Sequence, residues 1–191
     1  MSNQMNLSNG IHVTLPYVEG TIFGGPFKSF APHTRRLSGI KMAVEINHPH
    51  DMAVDTVDFS VPEPAAMVKG LCFALSELYN GKDIYVGCWG GVGRTGLFMG
   101  CMVKAMQDYE VQTAAVGVEV PYPDPVKVVR RDYSSHAIET EEQRAYVRGF
   151  DTAEVIEWYK LLVAPHHYVA PVPVAAQDDF ITRLLKLFKI I

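Results

Sequence analysis

Asp83-Ile-Tyr-Val-Gly-Cys-Trp-Gly-Gly-Val-Gly-Arg-Thr-Gly96 is the stretch on which the fold turns. Its first five residues, Asp83–Gly87, read as a buried strand, and an apolar segment from Thr95 to Gln107 reads as a helix. Between them, Cys88 and Arg94 bracket five residues: Trp89, Gly90, Gly91, Val92 and Gly93. Glycines let such a loop approach a ligand closely and adopt positive φ. Backbone N–H groups closing on a helix N-terminus make an anion cradle. The same positive potential favours thiolate over thiol, which is how a cysteine becomes a nucleophile at neutral pH. Arg94 adds a planar fork able to hold two phosphoryl oxygens at once, a geometry lysine lacks.

Working upstream, Gly20–Phe23 reads as a short strand and Lys41–Ile46 as a longer one, followed by a loop rich in His, Asp and Pro from Asn47 to Pro64. Pro62 and Pro64 suit the first turn of a helix. Met67, Leu71, Ala74, Leu75 and Leu78 carry that helix at the right spacing, and Asn80-Gly81 stops it. Downstream, Val111–Val120 fits either a strand or a buried helix, and Asp124–Arg131 a short helix. Thr140-Glu-Glu-Gln143 is a capping box, and Asp151 is placed to cap one more helix. A Pro-containing linker, Ala164–Ala176, leads to an amphipathic segment, Asp178–Ile191. The expected organisation is a catalytic domain over residues 1–163, then the linker and C-terminal helix over 164–191.

The loop Val86–Gly96 resembles the signature loop of the protein tyrosine and dual-specificity phosphatases: Cys, five residues, Arg, then Ser or Thr. Asp58-Phe-Ser-Val-Pro-Glu-Pro64 is similar to that family's acid loop, which supplies a general acid about thirty residues before the cysteine. Val129-Arg-Arg131 and Ile138–Gln143 resemble the helix and glutamine loop that complete the site, and Arg36–Val44 the strand that opens the dual-specificity core. The resemblance covers roughly residues 15–160. It implies an α/β single-domain phosphatase fold, with four or five mostly parallel strands in a twisted sheet flanked by helices.

The resemblance also implies a two-step phosphomonoester hydrolysis with no cofactor and no metal. Cys88 attacks phosphorus while Asp58 protonates the leaving oxygen. Arg94 and the loop N–H groups hold the equatorial oxygens, and Thr95 stabilises the thiolate when it leaves. Glu139 or Gln143 positions the hydrolytic water. The family usually carries His before the cysteine, where this chain has Gly87, and Glu139 stands where tyrosine-specific members carry Gln. Glu139 at that place, with no counterpart of the Tyr-containing loop of tyrosine-specific members, points to the dual-specificity or atypical branch, with a phosphoprotein as substrate and a nucleotide or RNA 5′-phosphate as the alternative. Gly87 bears instead on the thiolate. A phosphate-binding module without turnover is the reading from a different class.

Other readings stay open at this stage. Asp51 and Asp55 are rival acids by position. His48, His50, His166 and His167 are exposed loop histidines or metal ligands, the former favoured. Gly91–Gly96 also fits GxGxxG with Glu119 downstream, a dinucleotide fingerprint that would leave Cys88, Arg94 and Asp58 idle. Three scattered cysteines, Cys72, Cys88 and Cys101, make neither a disulfide scaffold nor a zinc site and suit a reducing, cytoplasmic setting, with Cys72 and Cys101 as core residues. A net charge of −4 argues against general nucleic-acid binding. For the C-terminal segment, docking on its own domain or in a homodimer is favoured over membrane contact.

Overall fold

The computed structural model describes residues 7, 9–31, 37–114 and 121–164. Five strands, β1 (Gly10–Leu15), β2 (Val18–Pro26), β3 (Leu37–Ala43), β4 (Met52–Thr56) and β5 (Asp83–Cys88), form one sheet in the order β1-β2-β5-β3-β4. The β1–β2 hairpin is antiparallel and every other pairing is parallel. This is the expected α/β single domain with a mostly parallel sheet. Burial follows position: every residue of the inner strand β3 is buried, whereas edge strand β1 alternates buried and exposed.

Helices α1 (Pro64–Tyr79) and α2 (Gly93–Thr113) pack on the sheet and on each other. Helices α3 (Pro125–Asp132) and α4 (Glu141–Gly149) pack on α2, and α5 (Ala153–Val163) packs on α1. Phe27, in a 3-10 turn (Phe27–Ser29), Phe30 and Tyr85 form an aromatic cluster at the end of β2.

Helix boundaries follow local chemistry. Pro64 opens α1 at its first position, and Gly81, at φ 75°, closes it with N–H bonds from Gly81 to Leu78 and from Lys82 to Glu77. The Asp124 side chain caps α3, and the Thr140–Gln143 box caps α4. Asp151 accepts the Ala153 N–H, but the residue at the N-cap of α5 is Thr152.

Four readings need correction. The short strand at 20–23 is the middle of a nine-residue strand, and its hairpin partner β1 was not anticipated. Lys41–Ile46 is not one strand: β3 starts earlier and ends at Ala43, where a turn begins with the Ile46 N–H bonded to the Ala43 carbonyl. The expected loop 47–64 contains β4, a five-residue edge strand too short to show a period. Helix α2 runs six residues past Gln107, so Val111–Thr113 are helical; residues 115–120, with Glu119, lie outside the described residues. The linker from 165 onward and the C-terminal segment also lie outside them.

Candidate active site

Cys88 is the last residue of β5, the central strand, and α2 begins five residues later. The loop between them is held from several sides. Gly91 has φ 74°, a conformation that favours glycine, and a Cβ there would strike the Gly25 backbone. The buried Tyr133 hydroxyl, following α3, donates to the Gly91 carbonyl. The Thr95 hydroxyl accepts the Cys88 N–H at 3.0 Å and donates to Cys88 Sγ at 3.3 Å. Among the described residues, no hydrogen bond engages the backbone N–H groups of Trp89, Gly90, Gly91 or Val92. Four free donors at a helix N-terminus are an anion site in waiting.

Gly87 has a steric cause. A Cβ at this position would lie 2.5 Å from the Gly25 carbonyl oxygen and 2.9 Å from Phe27 Cα. Histidine is therefore excluded by the backbone of the neighbouring strand β2 and the turn that follows it. Gly87→Ala is expected to lower stability by about 1–3 kcal/mol, the usual range for overpacking against atoms that cannot yield. Denaturant midpoints of parent and variant check this; equal midpoints would show that the neighbouring segment gives way freely.

Arg94 is 1% exposed, an unusual place for a guanidinium. Two carboxylates and a carbonyl hold it. Glu45 accepts from both terminal nitrogens, at 2.8 and 2.6 Å, and the Thr56 carbonyl accepts at 2.9 Å. Asp58 Oδ1 lies 3.0 Å from the nitrogen that Glu45 also uses. The buried Nε meets no partner among the described residues, so one N–H of the fork remains for a ligand. The Arg94 bond holds the Glu45 carboxyl below the usual carboxylate range. Burial is the strongest single influence and works against the Arg94 charge, but the Glu45 bond together with the charges of Cys88, Glu45 and Asp58 outweighs it and the guanidinium's pKa is raised. Glu45 was missed from the sequence: it lies on the turn after β3, in no motif, and nothing local marks it.

The three candidate acids separate cleanly. Asp51 accepts the Gly39 N–H at 2.7 Å and ties the start of β4 to β3. Asp55 pairs with the buried Lys41 at 2.6 Å. Of the three, Asp58 meets Arg94. Its loop is fastened to α4, for Thr140 Oγ1 donates to the Phe59 carbonyl at 3.3 Å and Gln143 Nε2 to the Ser60 carbonyl at 3.1 Å.

The segment before α4 sits under tension. Ile138, fully buried, has φ 61°, rare for a β-branched side chain. Arg130 holds it by donating to the Ala137 and Ile138 carbonyls, and Arg144 donates to those of Ile138 and Glu139. The result brings Glu139 to the loop between β5 and α2, its Oε2 in the space a Cβ on Gly93 would fill. Gln143 is buried, and its Oε1 accepts the Glu139 N–H.

The remaining candidates fall outside the site. His48 Nε2 lies 2.8 Å from the Phe30 carbonyl oxygen and its ring meets Phe27 edge-on, while His50 Nδ1 lies 2.8 Å from the His48 carbonyl oxygen. His166 and His167 lie outside the described residues, among which no cluster of three or more metal-ligating side chains occurs. Cys72 and Cys101 are buried and unpaired, as core residues; burial pushes the Cys72 thiol up to about 12 and raises that of Cys101 as well. Among the described residues, no helix is long and apolar enough to cross a membrane.

No protein-family model matches the chain. Among curated proteins it is similar to an uncharacterized protein of Methanocaldococcus jannaschii, 31% identical over 93 residues, or 49% of this chain and 54% of the relative. The chain thus spans about half the length of that relative. Among solved structures it is similar to Tk-PTP in its active form, with TM-score 0.44 and 21% identity over 64% of this chain and 80% of that one. A mutant form of Tk-PTP gives TM-score 0.46 and 19% identity, over 66% and 81%.

Proposed function

We propose that the chain hydrolyses phosphomonoesters through a phosphocysteine intermediate, as a cysteine-dependent phosphatase of the dual-specificity type acting on phosphoprotein. One observation carries the reading: a cysteine sulfur, a buried arginine with a free Nε–H and four unengaged backbone N–H groups converge on one loop. Donors fixed in place before the ligand arrives stabilise developing charge without reorganisation.

In the first step Cys88 Sγ attacks phosphorus, the S–P bond forms and the bond to the leaving oxygen breaks. Arg94 and the N–H groups of residues 89–94 hold the three equatorial oxygens. Asp58, 3.0 Å from Arg94 at the mouth, gives its proton to the leaving oxygen. In the second step Asp58 takes a proton from water, whose oxygen attacks phosphorus and displaces the thiolate. The Thr95 hydroxyl, already 3.3 Å from Sγ, donates to that sulfur as it leaves. For the water, Glu139 is the better-supported choice. Its carboxylate lies against the loop, whereas the Gln143 amide is committed to the capping box and the Ser60 carbonyl.

The test is turnover of aryl phosphates under reducing conditions, comparing the parent with Asp58→Asn. A general acid contributes roughly 10²–10⁴-fold. The variant should therefore lose about 10²-fold in kcat on an ester with a poor leaving group and much less on one whose alcohol departs unaided. Equal losses on both esters would remove Asp58 from the role of acid. A folded, reduced parent that retains phosphate but turns over neither ester would make the loop a binding module.

A further inference from the structure

Eight large apolar side chains are exposed among the described residues, and four of them, Val44, Val57, Phe59 and Trp89, each stand one position from Glu45, Asp58 or Cys88. Exposed apolar side chains thus flank the candidate-site residues on three of the loops that build it, those after β3, β4 and β5. Exposed apolar side chains gathered in one place mark a contact surface. Trp89 is 58% exposed and follows the cysteine directly, on a loop pinned by Gly91 and Tyr133. Lys28, in the turn after β2, lies with its ammonium 4.1 Å from the centre of the Trp89 ring.

The charges at the mouth are divided. Glu45, Asp58 and Glu139 come from the turns and loops after β3, β4 and α3, and the first two are met by Arg94. Lys28 comes from the side of β2, is exposed, and makes no ion pair among the described residues. The indole face steadies its ammonium without neutralising it.

Resting on the phosphatase reading above, we propose that Lys28 and Trp89 form a second anchor that selects phosphopeptide segments carrying a carboxylate beside the phosphorylated residue. The ammonium takes the carboxylate, and the indole takes the apolar part of the same side chain. Val44, Val57 and Phe59, on other loops, call for apolar surface elsewhere around the phosphate. A peptide supplies side chains on both sides of a phosphorylated residue; a mononucleotide carries its base on one side. Trp89 and Lys28 are therefore specificity-determining residues.

The experiment uses the full chain and two phosphotyrosine peptides identical except for Glu or Gln next to the phosphorylated residue, with p-nitrophenyl phosphate as the control substrate. At low salt the parent is expected to favour the Glu peptide in kcat/KM by about fivefold, the upper range for one exposed ion pair. Lys28→Gln should erase that preference and Lys28→Glu reverse it, with turnover of p-nitrophenyl phosphate unchanged in both. Added salt should shrink the parent's preference. Equal rates on the two peptides in the parent, or a preference that survives Lys28→Glu, overturn the anchor. Faster turnover of a nucleoside monophosphate or a 5′-phosphorylated RNA than of either peptide overturns the choice of ligand. Binding of the two peptides to Cys88→Ser reads the same preference without turnover. Loss of activity on p-nitrophenyl phosphate therefore counts against the phosphatase reading, and loss of the binding preference against the anchor.

Discussion

Cys88→Ser is expected to reduce turnover of aryl phosphates by about 10⁴-fold or more while the protein still folds and still retains phosphate. Loss of a covalent nucleophile removes the intermediate itself, so the fall should be of the size seen when other enzymes lose theirs. The fold should survive because the change replaces sulfur by oxygen at a residue whose N–H bond to Thr95 does not involve its side chain. Phosphate retention should survive because the donors that hold the anion, the loop N–H groups and Arg94, are untouched. Affinity for inorganic phosphate should if anything rise, since a neutral hydroxyl replaces a group that repels the anion when ionised. Single-turnover kinetics, phosphate binding by calorimetry and a denaturation curve together check this. A variant within tenfold of the parent's rate would show that Cys88 is not the nucleophile.

Arg94→Lys should be the second most damaging change, lowering kcat/KM by about 10²–10³-fold, the loss on removing one preorganised donor. The charge is kept, so the loss isolates geometry. Arg94 spreads its donors over Glu45, Asp58, the Thr56 carbonyl and a free Nε–H, all in one plane of nitrogen atoms. An ammonium is a point charge with no fixed fork. It can meet Glu45 or a ligand, and not both in register. Stability should fall as well, because the guanidinium is fully buried and a shorter head leaves the Thr56 carbonyl without its partner. Steady-state kinetics and denaturant midpoints on the same preparation separate the two effects. Activity within tenfold of the parent would mean that charge alone suffices and that the fork is dispensable.

The parts of the site legible in the sequence are those confined to one short stretch. Strand, glycine-rich turn and helix follow one another in Asp83–Gln107, so the loop and its Cys88–Arg94 spacing needed no knowledge of the rest. The Thr140 capping box, the Pro64 start of α1 and the Asn80-Gly81 stop are equally local, because caps are made by residues three or four apart. Strand β4 escaped because five residues are too few to show a period, whereas β1 did carry a legible alternation, with Ile11, Val13 and Leu15 facing inward beside its hairpin partner β2.

Sequence by itself marked the strand, glycine-rich turn and helix that carry Cys88 and Arg94, since periodicity and turn chemistry are written in consecutive residues. The resemblance of that loop and its flanking motifs implied the α/β fold that the structure shows. Tertiary structure alone decided what meets Arg94. Glu45 reaches it across 49 residues of chain. Of the three acids it is Asp58, the one preferred for the Phe-Ser-Val-Pro that follows it, that meets Arg94, while Asp51 and Asp55 spend their carboxylates on Gly39 and Lys41. The tertiary structure also requires glycine at position 87, because the backbone of Gly25 on the neighbouring strand, 62 residues upstream, leaves no room for a Cβ. Burial and ion pairing depend on which distant segments come together, and no spacing along the chain records that.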